Sequence, residues 1–187
     1  MRDIVIVIIL LLSLNQGISQ IIADTTYNPL IKKESSLRTT LIGQSIHDYV
    51  EDAALTASLS HGKKIHINLW STTCRPCIQE FPELNELKES FENRGIHFIA
   101  IAKEKQQATE KILYTHELDF EKHYNGLSLF ERLGVRQYPV NLFIDEEGII
   151  QEVSMGIFMK GEIVEGRTIM NMNNLPYYKM ILAQWTN

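Results

Sequence analysis

Cysteine is nearly absent from this chain: there are two in 187 residues, Cys74 and Cys77. A scaffold of several disulfides is therefore excluded, and a hydrophobic core has to hold the fold. Basic charge is short as well. Eighteen Lys and Arg stand against 23 Asp and Glu, for a net charge of −5 and no cationic run, which excludes an electrostatic footprint for nucleic acid. Internal repeats and low-complexity tracts are missing. No apolar run reaches the ~20 residues that a membrane-spanning helix requires. What remains, 44% hydrophobic and 22% charged residues, is an ordinary globular mixture sufficient for one domain and an appendage.

The appendage is at the start. "MRDIVIVIILLLSLNQGISQ" places Arg2 before an apolar run from Ile4 to Leu12, extended by Leu14 and closed by small and polar residues. About 11 apolar residues suit the h-region of a secretory signal, ~7 to 15 residues, better than a membrane span. Gly17 and Ser19 fit a cleavage site ahead of Gln20. The expected organisation is a signal peptide over 1–19, a leader or edge segment over 20–40 and one domain over 41–187. The mature protein is then soluble or only loosely associated with a membrane.

Further along, "IHINLW" alternates Ile65, Ile67 and Leu69 with other residues and reads as a strand. "CIQEFPELNELKESFENRG" spaces Phe81, Leu84, Leu87 and Phe91 along a helical stripe that Gly95 stops, with a kink expected at Pro82. "IHFIAIA" is a nearly continuous apolar run, as in a strand buried on both faces. "ATEKILYTHEL" has helical character. Val140–Ile144 and Ile149–Val153 flank a turn at Asp145–Gly148 and read as a hairpin, and "NLPYYKMILAQW" as a final helix carrying Tyr178, Ile181, Leu182 and Trp185. The segment 159–174 yields no assignment. The order implies a parallel pair of strands, then an antiparallel pair, with helices covering an α/β sheet.

Two thiols two residues apart can serve several ends. Zinc needs four ligands where CxxC offers two, and His116 and His123 are too widely spaced to complete the set. Covalent haem needs histidine after the second cysteine, where Ile78 stands. A structural bridge over so short a loop gains little chain entropy. A disulfide that is made and broken fits better. The strand before it and the helix after it put Cys74 at a helix N-terminus, where free amides and the dipole favour a thiolate. Arg75 adds positive charge, and Pro76 suits the first turn.

"INLWSTTCRPCIQEFPEL" and "LGVRQYPVNLFIDEEGII", with the weaker "LSHGKKIHINLW", resemble the exported thiol-disulfide oxidoreductases of the TlpA/ResA type in the thioredoxin superfamily, over roughly Leu59 to Val153. The resemblance implies a thioredoxin-like fold with a central mixed sheet flanked by helices. It implies Cys74 as the attacking thiol, Cys77 as the resolving thiol, Glu80 as the acid near them and Pro139 as a cis-proline. Tyr138, Pro139, Arg75 and Trp70 are then the substrate-binding residues, and Asn68 takes the place of a thioredoxin's buried aspartate. No cofactor is implied beyond the Cys74–Cys77 disulfide. Expected partners are protein disulfide substrates and a membrane-bound thiol electron donor; the closest resemblance is to reductants that serve cytochrome maturation or similar tasks. The chain departs from the family pattern at Gln137, where Gly is usual, at Val140, where Thr is usual, and in lacking an N-terminal Ala-Pro-x-Phe.

Two alternatives compete. A peroxiredoxin-type peroxidase would use Ser71, three residues before Cys74, but Ile67 replaces its upstream proline. A copper-binding module would draw on Met155, Met159, Met170 and Met172 as soft ligands beside the thiols.

Overall fold

The computed structural model describes residues 31–59, 62–157, 159–164, 167–172 and 174–186. The expected signal peptide lies outside the described residues, as does the leader up to residue 30. Ser36–Asn187 form one compact unit. Among the described residues no helix is long and apolar enough to cross a membrane.

Helix α1 (Ile31–Leu41) and α2 (Ala53–Leu59) precede strand β1 (Lys64–Trp70) and the long helix α3 (Arg75–Phe91). Then come β2 (Ile96–Ala102), α4 (Gln106–Leu113), β3 (Glu121–His123) and α5 (Leu127–Leu133). Strands β4 (Val140–Ile144) and β5 (Ile150–Met155), a separate hairpin β6 (Met159–Val164) and β7 (Arg167–Met172), and helix α6 (Leu175–Trp185) complete the order. The main sheet runs β3-β2-β1-β4-β5. β1 is parallel to β2 and antiparallel to β4, and β4 is antiparallel to β5. This is the mixed sheet that the order of elements implies.

Alternation along β1 divides the molecule. Ile65, Ile67 and Leu69 enter a core shared with Leu37 and Leu41 of α1, Leu55 and Leu59 of α2, and Phe130 of α5. Trp70, at the end of the other face, packs with Phe81, Leu84 and Leu87 of α3 and with Tyr178 and Leu182 of α6. His66 and Asn68 share that face. Register carries the same division to β4, where His66 lies opposite Phe143 and Asn68 opposite Asn141.

Helix α6 is fixed to α3 electrostatically as well as by packing. Glu83 Oε2 accepts the backbone N–H groups of Asn174 and Leu175, each at 3.1 Å, satisfying free amides at the start of α6. Glu86 pairs with Lys179 at 2.7 Å one turn further along.

Several expectations need correction. The segment over 20–40 reads from the sequence as a leader or edge element, yet its end forms α1, because Leu37 and Leu41, one turn apart, are both buried against the sheet. Pro82 lies inside α3, and the helix runs on to a short turn closed by Gly95, the stop expected from the sequence, whose φ of 83° suits glycine. α4 ends at Leu113, short of the expected span. Segment 159–174 contains the β6–β7 hairpin, with Met159 paired to Met172 and Gly161 to Met170.

If α1 is part of the fold, removing its fully buried anchor must be felt. Leu41→Ala is expected to destabilise the protein by about 2–5 kcal/mol, the usual cost of a large-to-small change in a core. Urea unfolding of the variant measures this, and a change within a few tenths of a kcal/mol would remove α1 from the core.

Candidate active site

β1 ends at Trp70 and hands the chain to a tight loop held by one carboxylate. Glu104 Oε1 accepts the Ser71 hydroxyl at 2.6 Å, and its Oε2 accepts the Thr72 N–H at 2.9 Å. The Lys103 N–H reaches Trp70 O at 2.9 Å, and the Cys74 N–H returns to Ser71 O at 3.0 Å. These bonds fix where α3 begins. Ser71, considered above as a peroxidase residue, is engaged in holding this loop.

Cys74 is the N-cap of α3, with Pro76 in the first turn. Its Sγ accepts the Cys77 N–H at 3.2 Å and is bonded to Cys77 Sγ. Cys74 is half-buried and Arg75 exposed, whereas Cys77 is fully buried. Only one sulfur is therefore open to a partner, and it is the one at the positive end of the helix dipole.

The Tyr138–Pro139 peptide is cis. Val140 pairs with Leu69, so Pro139 lies across from the end of β1, the end from which the Cys74 loop departs. The Tyr138 ring is half-buried, 5.6 Å from Phe130 and with Lys103 Nζ 5.9 Å from its centre. Trp70, expected among the substrate-binding residues, is placed differently. Its side chain is 1% exposed and meets Phe81 edge-on at 5.0 Å, so the ring supports the underside of α3 and presents no surface to a partner.

Glu80 follows Cys77 by three residues and is fully buried. Its Oε1 accepts Asn174 Nδ2 at 2.5 Å and the Tyr178 hydroxyl at 2.8 Å. Tyr178 in turn accepts Asn141 Nδ2 at 2.7 Å, and Asn141 Oδ1 accepts Asn68 Nδ2 at 3.0 Å and meets His66 Nε2 at 2.9 Å. Burial pushes the Glu80 carboxyl up, the bonds from Asn174 and Tyr178 pull it down, the charge on Glu83 pushes it up and Asn141 pulls it down; the result is about 7 rather than 4.5. His66 is stacked on Phe143 at 4.7 Å with Phe98 and Phe120 edge-on, and burial lowers it to about 4 against a weaker opposing bond from Asn141.

Sequence reasoning missed Glu104, Asn141, Asn174 and His66 as parts of this arrangement, and took Tyr178 for packing alone. Asn141 and His66 did leave a signal, since each interrupts an otherwise apolar strand. Asn174 and Glu104 left none.

A dithiol motif capping the helix that follows a central parallel strand, with a cis-proline opening the antiparallel neighbour, defines a thioredoxin-superfamily protein. The chain belongs to the AhpC/TSA family, whose model matches residues 46–153. It is 29% identical over 143 residues to the thiol-disulfide oxidoreductase ResA of Bacillus cereus, a match spanning 73% of this chain and 81% of that protein. With the thioredoxin-like protein YneN of Bacillus subtilis it shares 28% identity over 106 residues, covering 54% of this chain and 62% of the relative. The thioredoxin domain of a thiol-disulfide oxidoreductase from Bacteroides vulgatus superposes with a TM-score of 0.53 at 15% identity, over 68% of this chain and 82% of that one. The thioredoxin-like α/β fold and the ResA-type kinship expected from the sequence both stand.

The buried acid has a signature in stability. Glu80 keeps its proton in the fold up to about 7, where the unfolded chain loses it near 4.5, so its contribution is full below 4.5 and is lost as pH rises through 7. His66 acts oppositely: its contribution is present above 6.5 and is lost as pH falls through about 4, so the two slopes oppose each other in the wild type. Glu80→Gln removes one slope. Relative to wild type the variant should gain about 1.4 kcal/mol per pH unit through the Glu80 window, measured by urea unfolding at several pH values. A pH-independent difference would show that Glu80 titrates normally.

Proposed function

We propose that this protein is an exported thiol-disulfide oxidoreductase that reduces disulfides in protein substrates. The observation that carries the proposal is the asymmetry of the cysteine pair: Cys74 is half-buried at the helix N-terminus while Cys77 is fully buried behind it. In the reduced protein the Cys74 thiolate attacks a substrate disulfide, forming a mixed disulfide and releasing one substrate sulfur as a thiol. Cys77, giving up its proton, then attacks Cys74 Sγ and releases the second substrate sulfur. Two electrons pass to the substrate, and the protein is left with the Cys74–Cys77 disulfide. No cofactor takes part.

Glu80, one turn beyond Cys77 and titrating at about 7, is suited to receive the Cys77 proton near neutral pH. When ionised, its negative charge opposes the dipole and Arg75 and disfavours a thiolate. A less stabilised thiolate makes the dithiol the better electron donor, because strong oxidants are those whose reduced form is stabilised. The Tyr138 backbone beside the cis-proline can pair with an extended substrate strand, and exposed Arg75 lies next to the attacking sulfur. The apolar segment Ile4–Leu12 supports export to an oxidising compartment, where a membrane-bound thiol donor would return the protein to its dithiol form. Maturation of cytochromes, whose haem-binding cysteines must be reduced, is a task of this kind.

A trapping experiment tests the roles. Cys77→Ser should accumulate covalent adducts through Cys74, and Cys74→Ser should abolish insulin disulfide reduction. Adducts that form through Cys77 in Cys74→Ser would reverse the assignment. The direction of transfer has its own measure: equilibrium with glutathione should place the potential nearer the ~−270 mV of thioredoxin than the ~−120 mV of a strong oxidant. A value at the oxidising end would overturn the reductive reading.

A further inference from the structure

The donors around Glu80 follow one order. Asn68 Nδ2 reaches Asn141 Oδ1 at 3.0 Å, Asn141 Nδ2 reaches Tyr178 Oη at 2.7 Å, and the hydroxyl that accepts this N–H gives its own hydrogen to Glu80 Oε1 at 2.8 Å. Asn174 Nδ2 donates to the same oxygen. Glu80 Oε1 thus has two donors, while Oε2 is buried with no hydrogen-bond partner among the described residues. The two oxygens of one carboxyl group are therefore not equivalent. A proton on Oε1 would meet two donors head-on, whereas a proton on Oε2 meets none.

We propose that Tyr178 and Asn174 are positioning residues for Glu80: they occupy Oε1 and so assign the exchangeable proton to Oε2. The proposal rests on the thiol-exchange reading of the site. It makes the start of α6, which contains no cysteine, part of the apparatus that governs proton transfer at the dithiol. The same order closes the far side of the relay. Asn141 is an amide and does not carry a proton onward at neutral pH, and His66 beyond it is sealed by Phe98, Phe120 and Phe143. The proton on Glu80 thus has no route outward through the core and exchanges on the side of α3. The titratable and charged groups around Glu80 are Tyr178 from α6 and Glu83 on its own helix, with His66 behind Asn141 and Cys77 one turn earlier on α3.

The test compares Tyr178→Phe, which keeps the ring and removes only the hydroxyl, with Asn174→Ala, which removes the second, equally buried donor at the start of α6. The Glu80 carboxyl titration is followed by carbon-13 NMR, and the pH dependence of the dithiol potential is measured in parallel on the full chain. Each variant takes away a donor that favours the ionised form, so each should move the Glu80 midpoint upward, by about one pH unit for Tyr178→Phe. The bend in potential against pH should move with it. In a Glu80→Gln background neither substitution should alter the pH profile. Loss of a buried hydroxyl through packing alone would lower stability without moving either midpoint, and that result would overturn the proposal. So would an equal effect in the Glu80→Gln background. A wild-type protein that exchanges no disulfides, yet whose Glu80 midpoint shifts as described, would instead sink the proposed function and leave the positioning role standing.

Discussion

Taking the Glu80 carboxyl out of water would cost several kcal/mol if nothing replaced the solvent, and the packing of α3, α6, β1 and β4 reflects where the replacement donors come from. Glu80 is on the inner face of α3, and no neighbour on that helix donates to it. Asn174 and Tyr178 come from α6, and Tyr178 is itself oriented by Asn141 on β4. Asn141 is oriented by Asn68 and His66 on β1. A single buried acid thus ties together two helices and the two central strands. The cost is only partly offset, which is why the carboxyl titrates near neutrality rather than in the ordinary acid range.

In the function proposed above, the same acid changes the balance of charge at the dithiol. The dipole of α3 and the exposed Arg75 act on the half-buried sulfur, and both favour its anion. Glu80 follows the buried Cys77 by one turn on α3, and in that function its influence depends on its own protonation. In the proposed exchange the two sulfurs therefore answer to different fields, one facing solvent and constant, one internal and sensitive to pH. Glu104 holds the loop that leads into Cys74 and so fixes where the helix, and the outer sulfur at its end, begins.

Much of this was legible in the chain. β1 and α3 carry periodic patterns and β2 a nearly continuous apolar run, and the CxxC with Tyr138–Pro139 marks one end of the sheet. Elements that escaped notice are those whose pattern is too short to register. β3 is three polar residues at an edge, α5 is seven residues between glycines, and the described part of α1 buries two leucines. Glu80 was identified as an acid near the thiols, but its burial was not, because its partners stand 94 and 98 positions away. Trp70 was misjudged for a similar reason: a tryptophan beside a reactive loop suggests a contact surface until Phe81 is seen beneath it.

Dependence on the last helix bears on the order in which the protein comes into being. The cysteines, the cis-proline strand and the whole central sheet are present by Met155, whereas Asn174 and Tyr178 are translated later. A chain emerging N-terminus first already displays a complete dithiol motif while its acid has no donors. Until α6 docks, Glu80 is free to remain solvated and to ionise as any surface glutamate does. The pair of sulfurs exists in the nascent chain, but the two donors to the buried acid arrive only with the last helix.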